Sequence, residues 1–395
     1  MVTEEGAKTR SKTSRMGLED VLVKTFEKTE FKDDGSKPAL DPADPTFVLD
    51  PEFRPKTKHN EFLESQNDQI PVIDLAPLTS NDEEAVRKVI QEIGKAAEEW
   101  GFFQVVNHGV PLELIDRLEK EAVAFFTLSL EEKKKICRTF DQPVGYYNAE
   151  LTKNHRDWKE VLDYLVRGSV VLPDESNTTT LSITNRWPQN PPGLREAAEV
   201  YAKSTEQLAY RILELLSQSL GLPAEYFHKY FENHASPVRI NYYPVCPIPD
   251  LALGVSRHKD PSAFTILVQD EVGGLQVRRS DGEWIGVKPR RGAFVINIGA
   301  TFQMWSNDRF KSVEHQVVVN ENRARLSFPM FFSPASSTDI EPAPELLSES
   351  SPARYYPMNY GYFMRKRNDG NFKQYGEDIQ IEHFAVNRDS AYKPS

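Results

Sequence analysis

The chain reads as an α+β protein: a double-stranded β-helix, or jelly roll, flanked by helices that precede it. Three observations predict this. Apolar residues recur at helical spacing across 86–97, 112–126 and 194–220. After Pro237 the pattern changes to about eight short apolar stretches within roughly 95 residues, each bounded by turn residues. The balance of 39% apolar and 27% charged residues suits a soluble globular chain with a buried core.

In chain order, residues 1–60 are polar and proline-rich (Pro38, Pro42, Pro45, Pro51, Pro55) and predict a mostly extended or mobile arm, with at most a short helix at 18–26. Residues 70–75 predict a first strand. Ser80, with Glu83 three residues on, predicts a capping box. Val86, Val89, Ile90, Ile93 and Ala97 then mark a helix face. Residues 100–110 predict turn, strand and turn, and helices follow at 112–126 and 130–136. A long helix at 194–220 buries Tyr201, Leu208, Ile212 and Leu215 and stops at Gly221 and Pro223. The predicted strands are 238–243, 255–260, 264–269, 274–277, 283–287, 294–298, 312–319 and 325–332, with a hairpin turn at 278–282. The organisation is then 1–60, arm; 61–236, helical region packing on the core; 237–340, jelly-roll core; 341–395, a segment closing the pocket and a tail.

The charge of −11 disfavours nucleic acid as a partner. No apolar stretch approaches the ~20 residues of a membrane span. The first residues lack the apolar core of a secretory signal, and the expected compartment is the cytoplasm. With only Cys137 and Cys246, neither a disulfide framework nor a Cys-rich metal cluster is available. Any metal must use imidazole and carboxylate ligands.

His258 and Asp260 are two residues apart, so on a strand they project from one face. His315 sits on a later strand that a jelly roll can bring to the same mouth. Two imidazoles and one carboxylate on one side of a metal leave three positions open, the donor set of a facial triad suited to iron(II). Arg325 and Ser327, also at i and i+2, lie among apolar residues and form a fork and a hydroxyl fit for a carboxylate. Tyr243 adds a phenol to that group, and Asn241, two residues earlier, faces the metal end.

These motifs resemble the plant-type soluble Fe(II)- and 2-oxoglutarate-dependent dioxygenases over about residues 68–365. The resemblance rests on 100–109 (Trp-Gly-Phe-Phe-Gln-Val-Val-Asn-His-Gly), 241–247 (Asn-Tyr-Tyr-Pro-Val-Cys-Pro), 253–260 (Leu-Gly-Val-Ser-Arg-His-Lys-Asp), 273–277 and 312–315. It implies iron on His258, Asp260 and His315, and the far carboxylate of 2-oxoglutarate on Arg325 and Ser327, with Tyr243 assisting and Asn241 nearby. It makes His108 part of a turn. It implies dioxygen as cosubstrate, ascorbate as a stimulant, and succinate and carbon dioxide as coproducts. The reaction would be hydroxylation, O-demethylation or desaturation of a small, largely apolar plant metabolite. Candidate pocket residues are Arg239, Tyr146, Tyr147, Trp158, Phe331, Ser333, Phe363 and Met364. A related oxidase not using 2-oxoglutarate, and an inactive binding protein on the same fold, share this pattern. Departures from many relatives are Lys259 between the first ligands, Ala300 after Asn297-Ile298-Gly299, and Gln316 after His315. Oligomeric state is left open by the sequence.

Overall fold

The computed structural model describes residues 39–56, 70–139, 141–149, 151–152, 155–173, 180–372 and 379–386; the candidate helix at 18–26 lies outside them. The helices are α1 (Glu83–Glu99), α2 (Leu112–Phe126), α3 (Leu130–Lys134), α4 (Leu194–Ser219), α5 (Ala300–Trp305) and α6 (Tyr360–Phe372). The strands of the first half are β1 (Val72–Asp74), β2 (Phe102–Val106), β3 (Gly145–Tyr147), β4 (Leu151–Thr152), β5 (His155–Arg156), β6 (Glu160–Leu165), β7 (Ser169–Pro173) and β8 (Thr180–Thr184). The second half supplies β9 (Pro237–Tyr243), β10 (Leu253–His258), β11 (Phe264–Gln269), β12 (Leu275–Arg278), β13 (Trp284–Gly286), β14 (Phe294–Ile298), β15 (His315–Val318) and β16 (Arg325–Phe332), followed by the short pair β17 (Asp339–Ile340) and β18 (Met358–Asn359).

The periodic helices fall where their apolar spacing predicts. The start of α1 differs: Asp82, not Ser80, is the cap, and its carboxylate accepts from Glu84 N and Ala85 N. Ser80 instead donates to Pro77 O and accepts from Asp82 N. A carboxylate is the stronger acceptor for two amides, and it opposes the positive end of the helix dipole. Gly221, at φ +83°, makes the left-handed turn after α4 that a side chain would resist.

The eight strands from β9 to β16 divide four and four. The large sheet runs β1-β2-β14-β11-β16-β9-β6-β3, and the small sheet runs β10-β15-β12-β13. The jelly roll is therefore widened on one side by the two predicted strands β1 and β2 and on the other by β6 and β3, which the reading of 61–236 did not include. Period-two alternation sorts the large sheet's side chains into two layers. Phe264, Ile266, Phe294, Ile296, Phe328 and Met330 face α1, α2 and α4 in one core. The alternate residues Phe102, Val295, Leu267 and Tyr243 face Val255, Leu275, Val277 and Val317 of the small sheet. The second layer is the barrel interior, and it carries the site.

Part of the expected arm is packed onto this interior. Leu40 and Phe47 join the inner core, and Leu49 packs with Leu253 and Val318. Phe47 meets the Trp158 ring edge-on at 4.8 Å and lies under the Arg156 guanidinium, which also pairs with Asp44. The charged and proline-rich composition concealed these few well-spaced apolar anchors.

On the helical side, Lys133 is buried and donates to Glu160 Oε2 at 2.6 Å and to Phe126 O at 3.0 Å. The Tyr146 hydroxyl donates to the same carboxylate oxygen at 2.6 Å. Replacing Glu160 by alanine strands a buried ammonium, so unfolding free energy should drop by about 3–5 kcal/mol. A denaturation midpoint unchanged from that of the parent protein would refute this.

Candidate metal centre

The small sheet places the two histidines side by side: β10 and β15 are antiparallel, and His258 is directly opposite His315. Their rings lie 4.2 Å apart, centroid to centroid. His258 Nδ1 donates to Ser256 O at 2.9 Å, and His315 Nδ1 donates to Val313 O at 3.2 Å. Both Nε2 atoms are thereby turned to one point, where Asp260 Oδ1 stands 3.4 Å and 3.7 Å from them. One ligand atom from each residue falls within 4.8 Å of the others, the only such group of three among the described residues.

Asp260 reaches this point for a reason other than strand alternation. β10 ends at His258, and Asp260 lies beyond it, its carbonyl accepting from Ala300 N at 2.8 Å. Its Oδ2 accepts from Thr265 Oγ1 at 2.5 Å and from Asn297 Nδ2 at 2.9 Å, leaving Oδ1 for the imidazoles. Burial opposes its ionisation, but the His315 and His258 rings and the Thr265 hydroxyl outweigh that and hold it well below the usual carboxylate range. Burial, with the neighbouring His258, pushes His315 down to about 4, so its ring is neutral at pH 7. A neutral His315 ring and an ionised carboxylate with fixed outer partners suit a divalent metal. The residues present fit an iron(II) ion.

Arg325 stands opposite Tyr243, and Ser327 opposite Asn241, on the inward face of β16 and β9. The Arg325 guanidinium is buried, 4.8 Å from the Tyr243 ring centroid, and donates through Nη2 to Gln269 Oε1 at 2.9 Å. Among the described residues its Nε and Nη1 meet no acceptor, and the Asn241 side-chain oxygen Oδ1 meets no donor. Buried polar groups are nearly always satisfied, so a guanidinium with two idle donors fits an anionic ligand, a carboxylate above all. Gly254 makes the arrangement possible: a Cβ there would stand 2.6 Å from the Tyr243 ring.

The pocket candidates divide. Arg239, Tyr147 and Phe331 stand together on the inward face: Arg239 is 5.6 Å from both ring centroids. Tyr146 faces the other way, into the Lys133–Glu160 cluster, because neighbouring strand residues alternate. Trp158 is packed on Phe47, with Nε1 donating to Pro244 O at 3.1 Å. Ser333 N donates to Ser236 Oγ at 3.0 Å. Phe363 and Met364 belong to the outer core, where Phe363 meets Phe384. His108 bonds Gly292 O at 2.6 Å and lies edge-on to Phe294, as a turn residue should. Lys259 pairs with Glu382 at 3.0 Å, and Gln316 donates to Gln276 Oε1 at 2.8 Å.

Sequence reasoning missed Thr265, Asn297, Gln269 and Asp157. The first three sit at inward positions, and alternation about the predicted strands would have found them. Asp157 carried no such signal. It is fully buried, and Oδ1 accepts from Ser256 N at 2.8 Å while Oδ2 accepts from Thr152 Oγ1 at 2.6 Å and lies 3.3 Å from Lys159 Nζ. β10 slips register twice between Leu253 and His258, and Asp157 holds the irregular stretch whose carbonyl orients His258. Asp157→Asn should therefore weaken metal binding by about tenfold, the low end for a lost outer partner. Metal titration of the folded variant would show otherwise if affinity is unchanged.

Residues 235–334 match the 2OG-Fe(II) oxygenase superfamily, and 70–190 match the N-terminal region described as non-haem dioxygenase in morphine synthesis. Flavanone 3-dioxygenase of Petroselinum crispum is 38% identical over 299 residues, 75% of this chain and 77% of that one. The chain belongs to the 2OG-Fe(II) oxygenase superfamily. As a 2OG-Fe(II) oxygenase it is an oxidoreductase whose cofactor set is iron(II), 2-oxoglutarate and dioxygen. It is similar also to Jasmonate-induced oxygenase 1 of Arabidopsis thaliana, 38% identical over 80% of this chain and 77% of the relative. Among solved structures, JOX2 in complex with 2OG, Fe and JA superposes on this oxygenase with a TM-score of 0.71 at 31% identity, covering 92% of this chain and 97% of that one. The dioxygenase for auxin oxidation in rice gives 0.64 at 25% identity, covering 80% and 100%. No helix among the described residues is long and apolar enough to cross a membrane.

Proposed function

We propose that this oxygenase oxidises a C–H bond of a small, largely apolar plant metabolite, with iron on His258, Asp260 and His315 and the far carboxylate of 2-oxoglutarate on Arg325 and Ser327, assisted by the Tyr243 phenol. The observation that carries this reading is the pair of idle Arg325 donors, buried in the same interior as three convergent ligand atoms. When bound, iron(II) and 2-oxoglutarate supply an oxidant derived from dioxygen, and the keto acid leaves as succinate and carbon dioxide.

The chain's own residues do the positioning. Thr265 and Asn297 keep Asp260 from rotating. The carbonyls of Ser256 and Val313 keep both Nε2 lone pairs aimed inward. Arg325 with Gln269 sets the depth of the cosubstrate, and Leu267, Val295 and Phe102 exclude water around it. Tyr147 and Phe331 give the substrate an aromatic wall. Relatives of near-equal identity carry different substrate names, so the substrate class rests on this wall.

The test is an aerobic metabolite screen with iron(II), ascorbate and 2-oxoglutarate, read by mass shift and by succinate. Gain of one oxygen marks hydroxylation, loss of two hydrogens desaturation, and loss of a methylene-sized mass O-demethylation. One succinate per product is expected. Full turnover without succinate would replace this reading by an oxidase that draws its electrons elsewhere. Bound iron without oxygen uptake would replace it by a binding protein.

A further inference from the structure

The barrel interior holds two arginines on one face, Arg325 and Arg239, and they are in opposite states. Arg325 has two idle donors. Arg239 is engaged: Nε donates to Asp163 Oδ1 at 2.8 Å and Nη2 to Asp163 Oδ2 at 2.9 Å, the two-pronged geometry that a substrate carboxylate would otherwise take. The Tyr147 hydroxyl donates to the same Oδ2 at 2.9 Å. We propose that this Asp163–Arg239–Tyr147 cluster makes the substrate site selective for a neutral, hydroxyl-bearing ring compound and turns away the corresponding carboxylic acid.

The placement comes from strand register. Arg239 is two residues from Asn241 on β9 and faces Asp163 across β6, while Tyr147 of β3 lies opposite Val161, the inward neighbour of Asp163. Phe331 of β16 is level with Thr265, the residue that holds Asp260. The cluster therefore borders the aromatic wall at the metal end of the interior. Phe331 is half-buried there, while Asp163 and Tyr147 are buried. Arg138 lies over the Tyr147 ring, 3.5 Å from its centroid, and adds a cation–π contact that braces the wall.

The chemistry follows from the pairing. Among the described residues the Asp163 carboxylate takes one donor on Oδ1 and two on Oδ2, so Oδ1 keeps acceptor capacity beside the guanidinium that neutralises it. A substrate hydroxyl, which can donate, matches that acceptor. A substrate carboxylate brings only acceptors and meets the charge of Asp163, a like-charge approach in a partly desolvated site. This inference rests on the oxygenase reading above, which locates the substrate in this interior.

The test uses the full chain loaded with iron(II) and 2-oxoglutarate under anaerobic conditions, titrated with cinnamyl alcohol and with cinnamate. The parent protein should bind the alcohol at least about tenfold more tightly than the acid. Asp163→Asn releases the guanidinium fork and should move the ratio toward the acid by about tenfold or more. Arg239→Gln leaves Asp163 bare and should disfavour cinnamate further, which separates charge from loss of packing. Equal or reversed preference in the parent, no binding of the alcohol, or an unchanged ratio in Asp163→Asn would overturn the proposal. Absence of succinate under aerobic assay, with the alcohol preference intact, would remove the oxygenase reading alone.

Discussion

His258→Ala should yield a folded chain that neither retains iron nor releases succinate. The residue is suited to a clean test, because its side chain is 21% exposed and its loss opens little cavity in the core. What it removes is one of two imidazole nitrogens directed at Asp260. The remaining pair, His315 and Asp260, is a poor chelate for a divalent ion. Loss of an outer partner typically costs 10–100-fold, so loss of a direct ligand should lower turnover by more than about 100-fold. Metal content and succinate release are to be measured on the same preparation. Iron and turnover both retained would remove His258 from the ligand set.

Arg325→Lys should raise the Michaelis constant for 2-oxoglutarate by about 10–100-fold and leave the rate at saturating cosubstrate much closer to that of the parent. The substitution preserves the charge and removes the fork. Nε and Nη1 are the idle donors, while Nη2 is held by Gln269. A lysine ammonium cannot serve Gln269 and both carboxylate oxygens from one point with that planar geometry. Losing one hydrogen bond to a charged group costs about 1.5–3 kcal/mol, which sets the expected range. An unchanged Michaelis constant would place the carboxylate elsewhere. A fall in rate without a change in that constant would give Arg325 a role in chemistry rather than in holding the cosubstrate.

Much of this site is readable from local pattern. His258, His315, Arg325 and Ser327 sit on strands that alternation predicts, and the structure pairs His258 with His315 and Ser327 with Asn241. Asp260 reaches the two imidazoles by a route other than the expected one. Strand alternation predicts its direction, yet β10 stops at His258, and the carboxylate is aimed by Thr265, Asn297 and the Ala300 amide. The aromatic candidates fared differently. Tyr146 and Tyr147 are adjacent and equivalent in composition, but one faces the helices and the other the interior. A three-residue strand is too short for its register to be read without its partner β6.

The one-dimensional order of residues determined the α+β class, the count of eight core strands and the donor types of the centre, because these follow from periodicity and from which side chains bind metals and carboxylates. Folding alone decided that β3 and β6 extend the large sheet, that Phe47 seals the interior, and that Asp163 takes the Arg239 fork while Arg325 stays open. These outcomes depend on which distant strand a segment pairs with or on which of two strand faces a residue takes, and local spacing carries no information about such pairings.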